Sequence, residues 1–281
     1  MSLLDPRTIR ELAAELDLRP TKQRGQNFVH DPNTVRRIVA ASGIGPHDAV
    51  LEIGPGLGSL TLGLLGAAAH VTAIEIEAAL ARRLPLTVAE LMPTASDALR
   101  VIEADALGVD SLPDPQPTAV VANLPYNVSV PVILHVMERF ATLARGLVMV
   151  QLEVADRLAA PPGSRTYGVP SAKLAWYADA RRVGTVPPTV FWPVPNVDSG
   201  LVAITRREPP PTAATRRAVF EVIDAAFAQR RKMLRGALAG LFGSSTDAAA
   251  ALERAGINPQ ARGEVLGIAE FARVAEQLPQ R

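Results

Sequence analysis

Apolar residues recur along this chain with two different periods. Short runs, AVLEI (49–53), HVTAIE (70–75), LRVIEA (99–104), TAVVAN (118–123) and GLVMVQ (146–151), read as buried strands. Between them, stretches such as SLTLGLLGAAA and AALARRLPLTVAELM read as helices. Strands alternating with helices predict a parallel sheet with crossover connections. After Gln151 come a helix (EVADRLAA), a loop (PPGSRTYG), a helix (VPSAKLAWYA) and an extended stretch, RRVGTVPPTVF. SGLVAITRR (199–207) then predicts a last strand, antiparallel to its neighbour. REPPPTAAT (207–215) is a proline-rich break. Beyond it the period is helical, with Val219, Ile223, Phe227, Leu234, Leu238 and Leu241 on one stripe. The expected organisation is an α/β domain over 1–207 and a small all-helical domain over 208–281. Ahead of the sheet, MSLLDPRTIRELAAELD reads as an amphipathic helix.

Composition narrows the chemistry. Of 281 residues, 48% are hydrophobic and 20% charged, enough apolar material for a substantial core. No cysteine is present, which excludes disulfides, zinc ribbons and thiol nucleophiles. His30, His47, His70 and His135 are scattered without ligand spacing, so no metal site is expected. The N-terminus has no secretory pattern. The least polar stretch, 54–74, is broken by glycines, Pro55 and His70, and reads as a loop and helix rather than a membrane span. A cytoplasmic protein without membrane contact is the expectation. Net charge is only +1, so any nucleic-acid surface has to come from local clusters. The densest is Arg230-Arg231-Lys232 with Arg235, largely off the apolar stripe; single pairs such as Arg181/Arg182 read as solvated surface charge.

VLEIGPGLGS sets Gly54, Gly56 and Gly58 between the first strand and a helix. Glycines there let backbone approach a ligand at the carboxyl end of a parallel strand. Glu75 ends the next strand, where a carboxylate can accept from both ribose hydroxyls. A dinucleotide fingerprint wants its third glycine three residues after the second, and Ser59 holds that position. The pattern fits better a nucleoside whose other end is an amino acid, S-adenosylmethionine. Asp105, in EADAL, either accepts from the adenine amino group or simply caps the helix that follows. The fold class expected is thus a Rossmann-like methyltransferase sheet, mostly parallel with its last strand antiparallel.

The fourth strand then delivers Asn123-Leu124-Pro125-Tyr126 to the same edge. An exocyclic amine on a base is a poor nucleophile that offers two N–H donors. The Asn123 side-chain carbonyl can accept one. Pro125 holds Leu124 extended, aiming its backbone carbonyl outward as the second acceptor. Two fixed acceptors orient the amine, and positioning supplies much of the rate. Tyr126 offers a flat face to the base. In VPPTVFWPVPNVDS, Phe191 is expected to stack opposite Tyr126 and clamp an extruded adenine. Trp192 is as readily a hydrophobic plug.

These motifs resemble the KsgA-type family of ribosomal RNA adenine dimethyltransferases. The resemblance runs from Lys22 to Leu278. It rests on GQNFVHD (25–31), LEIGPGLGSLT (51–61), IEIE (74–77), EADAL, NLPYNVS, QLEVADRLAAPPGSRTYG, VFWPVPNVDS and AFAQRRKMLRGAL (226–238). It implies that Asn27 and the backbone near Val29 contact the methionine end of S-adenosylmethionine. Gly54 and Gly56 would line the cofactor, Glu75 bind its ribose, Asp105 its adenine, and Asn123 bridge cofactor and target amine. The implied reaction is transfer of two methyls to N6 of each of two adjacent adenosines near the 3′ end of small-subunit rRNA, late in subunit assembly. The implied partner is the small-subunit precursor with its rRNA, held by Arg231, Lys232 and Arg235; a monomer is expected, since no exposed apolar stripe is left over. Arg24, Val29 and Glu77 depart from the family's usual residues without removing a group the chemistry needs. Two alternatives share most of these features: a macrolide-resistance enzyme methylating large-subunit rRNA, and an assembly factor that binds RNA without catalysis.

Overall fold

A computed structural model describes residues 3–18, 27–125 and 128–279. In chain order the elements are α1 (Pro6–Glu15), β1 (Phe28–Val29), α2 (Pro32–Ser42), β2 (Ala49–Ile53), α3 (Ser59–Leu65), β3 (His70–Glu75) and α4 (Ala78–Leu91). They continue with β4 (Leu99–Glu103), β5 (Ala119–Asn123), α5 (Ser129–Arg139), β6 (Arg145–Gln151), α6 (Leu152–Leu158), α7 (Val169–Leu174), β7 (Ala178–Val186), β8 (Phe191–Trp192) and β9 (Ser199–Arg206). The remainder is helical: α8 (Arg216–Ala228), α9 (Leu234–Ala237), α10 (Ala239–Phe242), α11 (Ser245–Arg254) and α12 (Ile268–Ala275).

Local chemistry starts the first two helices in the same way. The Asp5 carboxylate accepts from the Thr8 amide and the Asp31 carboxylate from the Thr34 amide, each at 2.8 Å, and a proline follows at the first helical position. Ile9, Leu12 and Ala13 then form the buried face of α1, while Gly43 ends α2 in the left-handed region at φ 65°.

The main sheet runs β4-β3-β2-β5-β6-β9-β7. β2 pairs parallel with both β3 and β5, β3 with β4, and β5 with β6; β9 lies antiparallel to β6, as the sequence predicts. All five residues of β2 are buried, which is why it reads as an unbroken apolar run despite Glu52. A separate ribbon joins β1 to β8, Phe28 opposite Trp192 and Val29 opposite Phe191.

The chain forms two compact units: Met1–Ala155 with Arg181–Arg206, and Asp156–Ala180 with Arg207–Arg281. Residues 156–180, which the sequence reading assigned to the α/β domain, therefore belong with the helices. Their side chains explain it. Buried Tyr167 donates its hydroxyl to the Leu266 carbonyl at 2.8 Å and meets Phe227 edge-on, and Lys173 pairs with Asp224 at 2.7 Å. In the same unit, the expected helix across 226–238 is broken. α8 stops at Ala228, and the first amides of α9 turn to another segment: Leu234 N–H donates to the Ala261 carbonyl and Arg235 N–H to that of Pro259. Among the described residues, no helix is long and apolar enough to cross a membrane.

Candidate active site

β2 has its neighbours β3 and β5 on opposite sides, so the connections leaving their carboxyl ends diverge and open a crevice. A cavity of about 380 Å³ lies there. The glycine loop forms its floor. Gly54, Gly56 and Gly58 have φ of 67°, 59° and 97°, conformations that favour glycine. At Gly56 a Cβ would also meet the Phe28 ring at 2.7 Å, so the β1–β8 ribbon lies directly against the loop. Phe28 in turn stacks on Trp192, ring centroids 6.3 Å apart.

Glu75, at the end of β3, is buried and lines the cavity. Its Oε2 accepts from the Gly56 amide at 3.1 Å and its Oε1 from the Glu77 amide at 3.0 Å. Both oxygens are thereby fixed, each with a lone pair left for a hydroxyl donor. Burial raises its pKa above the ordinary carboxylate range, opposed by those amides. Asp105 lines the same cavity, and its Oδ1 accepts from the Leu107 amide at 2.9 Å. The capping role and a place on the cavity wall are thus combined in one residue.

Asn123 closes β5, half-buried on the wall. Its Nδ2 donates to the Asn27 backbone carbonyl at 2.9 Å. That bond orients the amide: the nitrogen is tied to the segment ahead of β1, and the side-chain carbonyl is left as an acceptor. Leu124 and Pro125 line the cavity too, and Pro125 Cδ lies 3.8 Å from the point where a Cβ on Gly54 would be. The glycine loop and the Asn-Leu-Pro stretch thus face each other across one space.

Of the residues singled out from sequence, Asn27, Val29, Gly54, Gly56, Glu75, Asp105, Asn123, Leu124 and Pro125 all line this cavity. Tyr126 lies outside the described residues, as do Lys22 and Arg24. Phe191 does not line it. It is 0% exposed, in the core against β1, and in this arrangement shows no face to a base. Strand alternation turns its neighbour Trp192 the other way, half-buried against Phe28, so the plug is Phe191 and the partly open ring is Trp192. Arg231, Lys232 and Arg235 are exposed, but Arg231 and Lys232 occupy the turn between α8 and α9 rather than a helix face. Arg230 is engaged by Glu264 at 3.1 Å and by the Arg165 carbonyl at 2.7 Å.

Sequence reasoning missed Glu52. It is 1% exposed, lines the cavity beneath the glycine loop, and its Oε2 accepts from the Thr61 hydroxyl at 2.7 Å. Burial, aided by the charge of Glu75 and opposed by Thr61, pushes its pKa up to about 8. The signal was an acid inside an otherwise apolar five-residue strand.

The sheet order, the glycine loop and the acid at the end of β3 define a Rossmann-like methyltransferase that uses S-adenosylmethionine. The cavity fits that cofactor: a backbone-lined floor for the chain that links its two ends, a fixed carboxylate for a ribose, and no cationic side chain on the described walls to oppose a sulfonium. More particularly, the chain belongs to the ribosomal RNA adenine dimethylase family, which matches residues 18–280. It is 63% identical over 277 residues to the ribosomal RNA small subunit methyltransferase A of Thermobifida fusca (strain YX), covering 99% of this chain and 96% of that one. The protein of the same name from Cutibacterium acnes is 62% identical, with 99% and 95% covered. Among solved structures, a dimethyladenosine transferase from Plasmodium falciparum superposes with a TM-score of 0.73 at 22% identity, over 88% of this chain and 95% of that one. The 23S rRNA methyltransferase ErmE gives 0.64 at 28% identity, over 90% and 100%.

Proposed function

We propose that this protein dimethylates N6 of two adjacent adenosines in the 3′-terminal hairpin loop of small-subunit rRNA, with the precursor small subunit as its partner late in assembly. The observation that carries this reading is the orientation of Asn123. With one N–H of its nitrogen held by the Asn27 carbonyl, the amide keeps its side-chain oxygen available as an acceptor at the cavity wall. A primary amine offers two N–H donors and calls for two acceptors, its monomethylated form offers one, and a carbon nucleophile offers none.

When bound, S-adenosylmethionine supplies a methyl made electrophilic by its sulfonium. The chain's own part is to hold the amine in line, through Asn123 Oδ1 and the Leu124 carbonyl, and to keep the nucleoside end fixed at Glu75 and Asp105. Asparagine is not a base, so the amine's proton leaves to water. Exposed Arg231, Lys232 and Arg235 supply the phosphate contacts to rRNA. We take the protein to act as a monomer in the cytoplasm.

The likeness to ErmE favours one second reading, methylation of a large-subunit adenosine. Identity argues against it, since the relatives named for the small subunit are 62–63% identical and ErmE 28%. The deciding experiment supplies labelled S-adenosylmethionine with two substrates: small subunits lacking their adenine dimethylation, and protein-free large-subunit rRNA. N6,N6-dimethyladenosine from the small subunit alone is expected. Product only from large-subunit RNA would transfer the protein to the second reading.

A further inference from the structure

The cavity walls carry an unbalanced charge. Glu52 on β2, Glu75 at the end of β3, Glu77 ahead of α4 and Asp105 after β4 all contribute carboxyl groups, and no lysine, arginine or histidine lines the described walls. Among the described residues, the polar groups that share this part of the site with Glu52 and Glu75 are neutral: Thr61 on α3, which hydrogen-bonds Glu52, and Ser59 and Asn123 on the cavity wall. Thr61 is the one hydrogen-bond partner of Glu52 among the described residues. Ser59 Oγ is buried with no hydrogen-bond partner in the structure, although it lines the cavity.

A carboxyl held in this way, against a second acid and away from water, has one inexpensive route to a neutral state. It keeps its proton until a cation enters. S-adenosylmethionine brings a sulfonium and an ammonium against a single carboxylate. Its demethylated product has lost the sulfonium charge.

We infer that Glu52 is a proton-linked charge selector for the cofactor: it releases its proton to solvent when the cationic methyl donor binds, and regains it once the site holds the neutral thioether product or nothing. The inference rests on the S-adenosylmethionine reading of the cavity and adds a regulation of it. No covalent step is involved; one proton leaves the protein as one net positive charge enters. Affinity for the donor then rises with pH, while affinity for the product changes less. The preference for donor over product widens between pH 6 and 8, and narrows under acid conditions.

The test is calorimetric titration of S-adenosylmethionine and S-adenosylhomocysteine at several pH values, in pairs of buffers with different ionisation enthalpies. The wild type should release up to one proton per donor bound, and its donor affinity should rise by a factor approaching ten per pH unit, more steeply than its product affinity. Glu52→Gln should remove that excess release and flatten the pH dependence; the comparison between proteins cancels the ligand's own titration. Thr61→Val, which deletes the hydrogen bond favouring the carboxylate, should move the release to higher pH. Equal proton release by wild type and Glu52→Gln overturns the inference, as does a wild type whose donor and product affinities change in parallel. Failure of the wild type to bind either ligand at any pH would instead count against the cofactor reading itself.

Discussion

At the scale of single residues, the cavity turns on two side chains with opposite visibility. Asn123 is legible because Asn-Leu-Pro-Tyr is an odd way to leave a strand, and the structure gives the amide its direction through Asn27. Asn123→Ala is expected to lower methyl transfer by at least about a hundredfold, the scale of losing a positioning acceptor. Donor affinity should change only a few-fold and rRNA affinity not at all. Steady-state transfer with parallel binding titrations checks this, and near-normal turnover would remove Asn123 from the reaction. Glu52 was hidden, because a strand pattern does not reveal how dry its carboxyl end is. Its folded pKa of about 8 stands above the ordinary 4.5, so the native state holds a proton that the unfolded chain has lost. The sign follows: Glu52 costs stability increasingly as pH rises from about 4.5 toward 8, by up to about 1.4 kcal/mol per unit, and no further beyond. Ligand-free Glu52→Gln should therefore gain on the wild type in urea unfolding between pH 5 and 7.5. A constant difference across that range would mean the carboxyl is ionised throughout.

At the scale of elements, the strands were readable almost to the residue and the connections were not. Runs such as AVLEI and HVTAIE are buried on both faces, so hydrophobicity alone marks their ends. The β1–β8 ribbon is two residues wide on each side, and its partners are more than 160 positions apart; nothing local foretells it. For the same reason the inward residue of Phe191-Trp192 is not legible locally: alternation says that one ring is buried, and only the pairing with Phe28-Val29 says which. The break between α8 and α9 depends on carbonyls of Pro259 and Ala261, far along the chain, which replace the helix's own acceptors. It leaves Arg231 and Lys232 on an exposed turn. Double charge reversal, Arg231→Glu with Lys232→Glu, should weaken binding to small-subunit rRNA by ten-fold or more and reduce its dependence on salt, with donor affinity intact. Filter binding across a salt series measures both, and an unchanged salt slope would mean that phosphates are contacted elsewhere.

At the scale of the whole molecule, the chain is two units that do not follow the order of the sequence. Residues 156–180 leave the α/β unit to join the helices, and the hydroxyl of Tyr167 on Leu266 is one of the bonds that keeps them there. Tyr167→Phe removes that buried bond and leaves a carbonyl unsatisfied, at a cost of about 1–3 kcal/mol. Urea denaturation should show the loss. Donor affinity should stay unchanged, because every described residue lining the cavity belongs to the other unit. A matching fall in donor affinity would contradict that separation.

The sequence by itself determined the alternation of strands and helices, the glycine loop, the acids at strand ends and the Asn-Leu-Pro stretch. Each of these is a local pattern: a period, a residue needing positive φ, or a proline fixing its neighbour. Tertiary structure alone decided which end of the Asn123 amide is tied to Asn27, which aromatic is buried, where the basic turn breaks its helix, and that Glu52 sits dry beside a second acid. Those outcomes depend on hydrogen-bond partners and solvent exclusion supplied from distant parts of the chain, and burial of a charge is a property of the space around it.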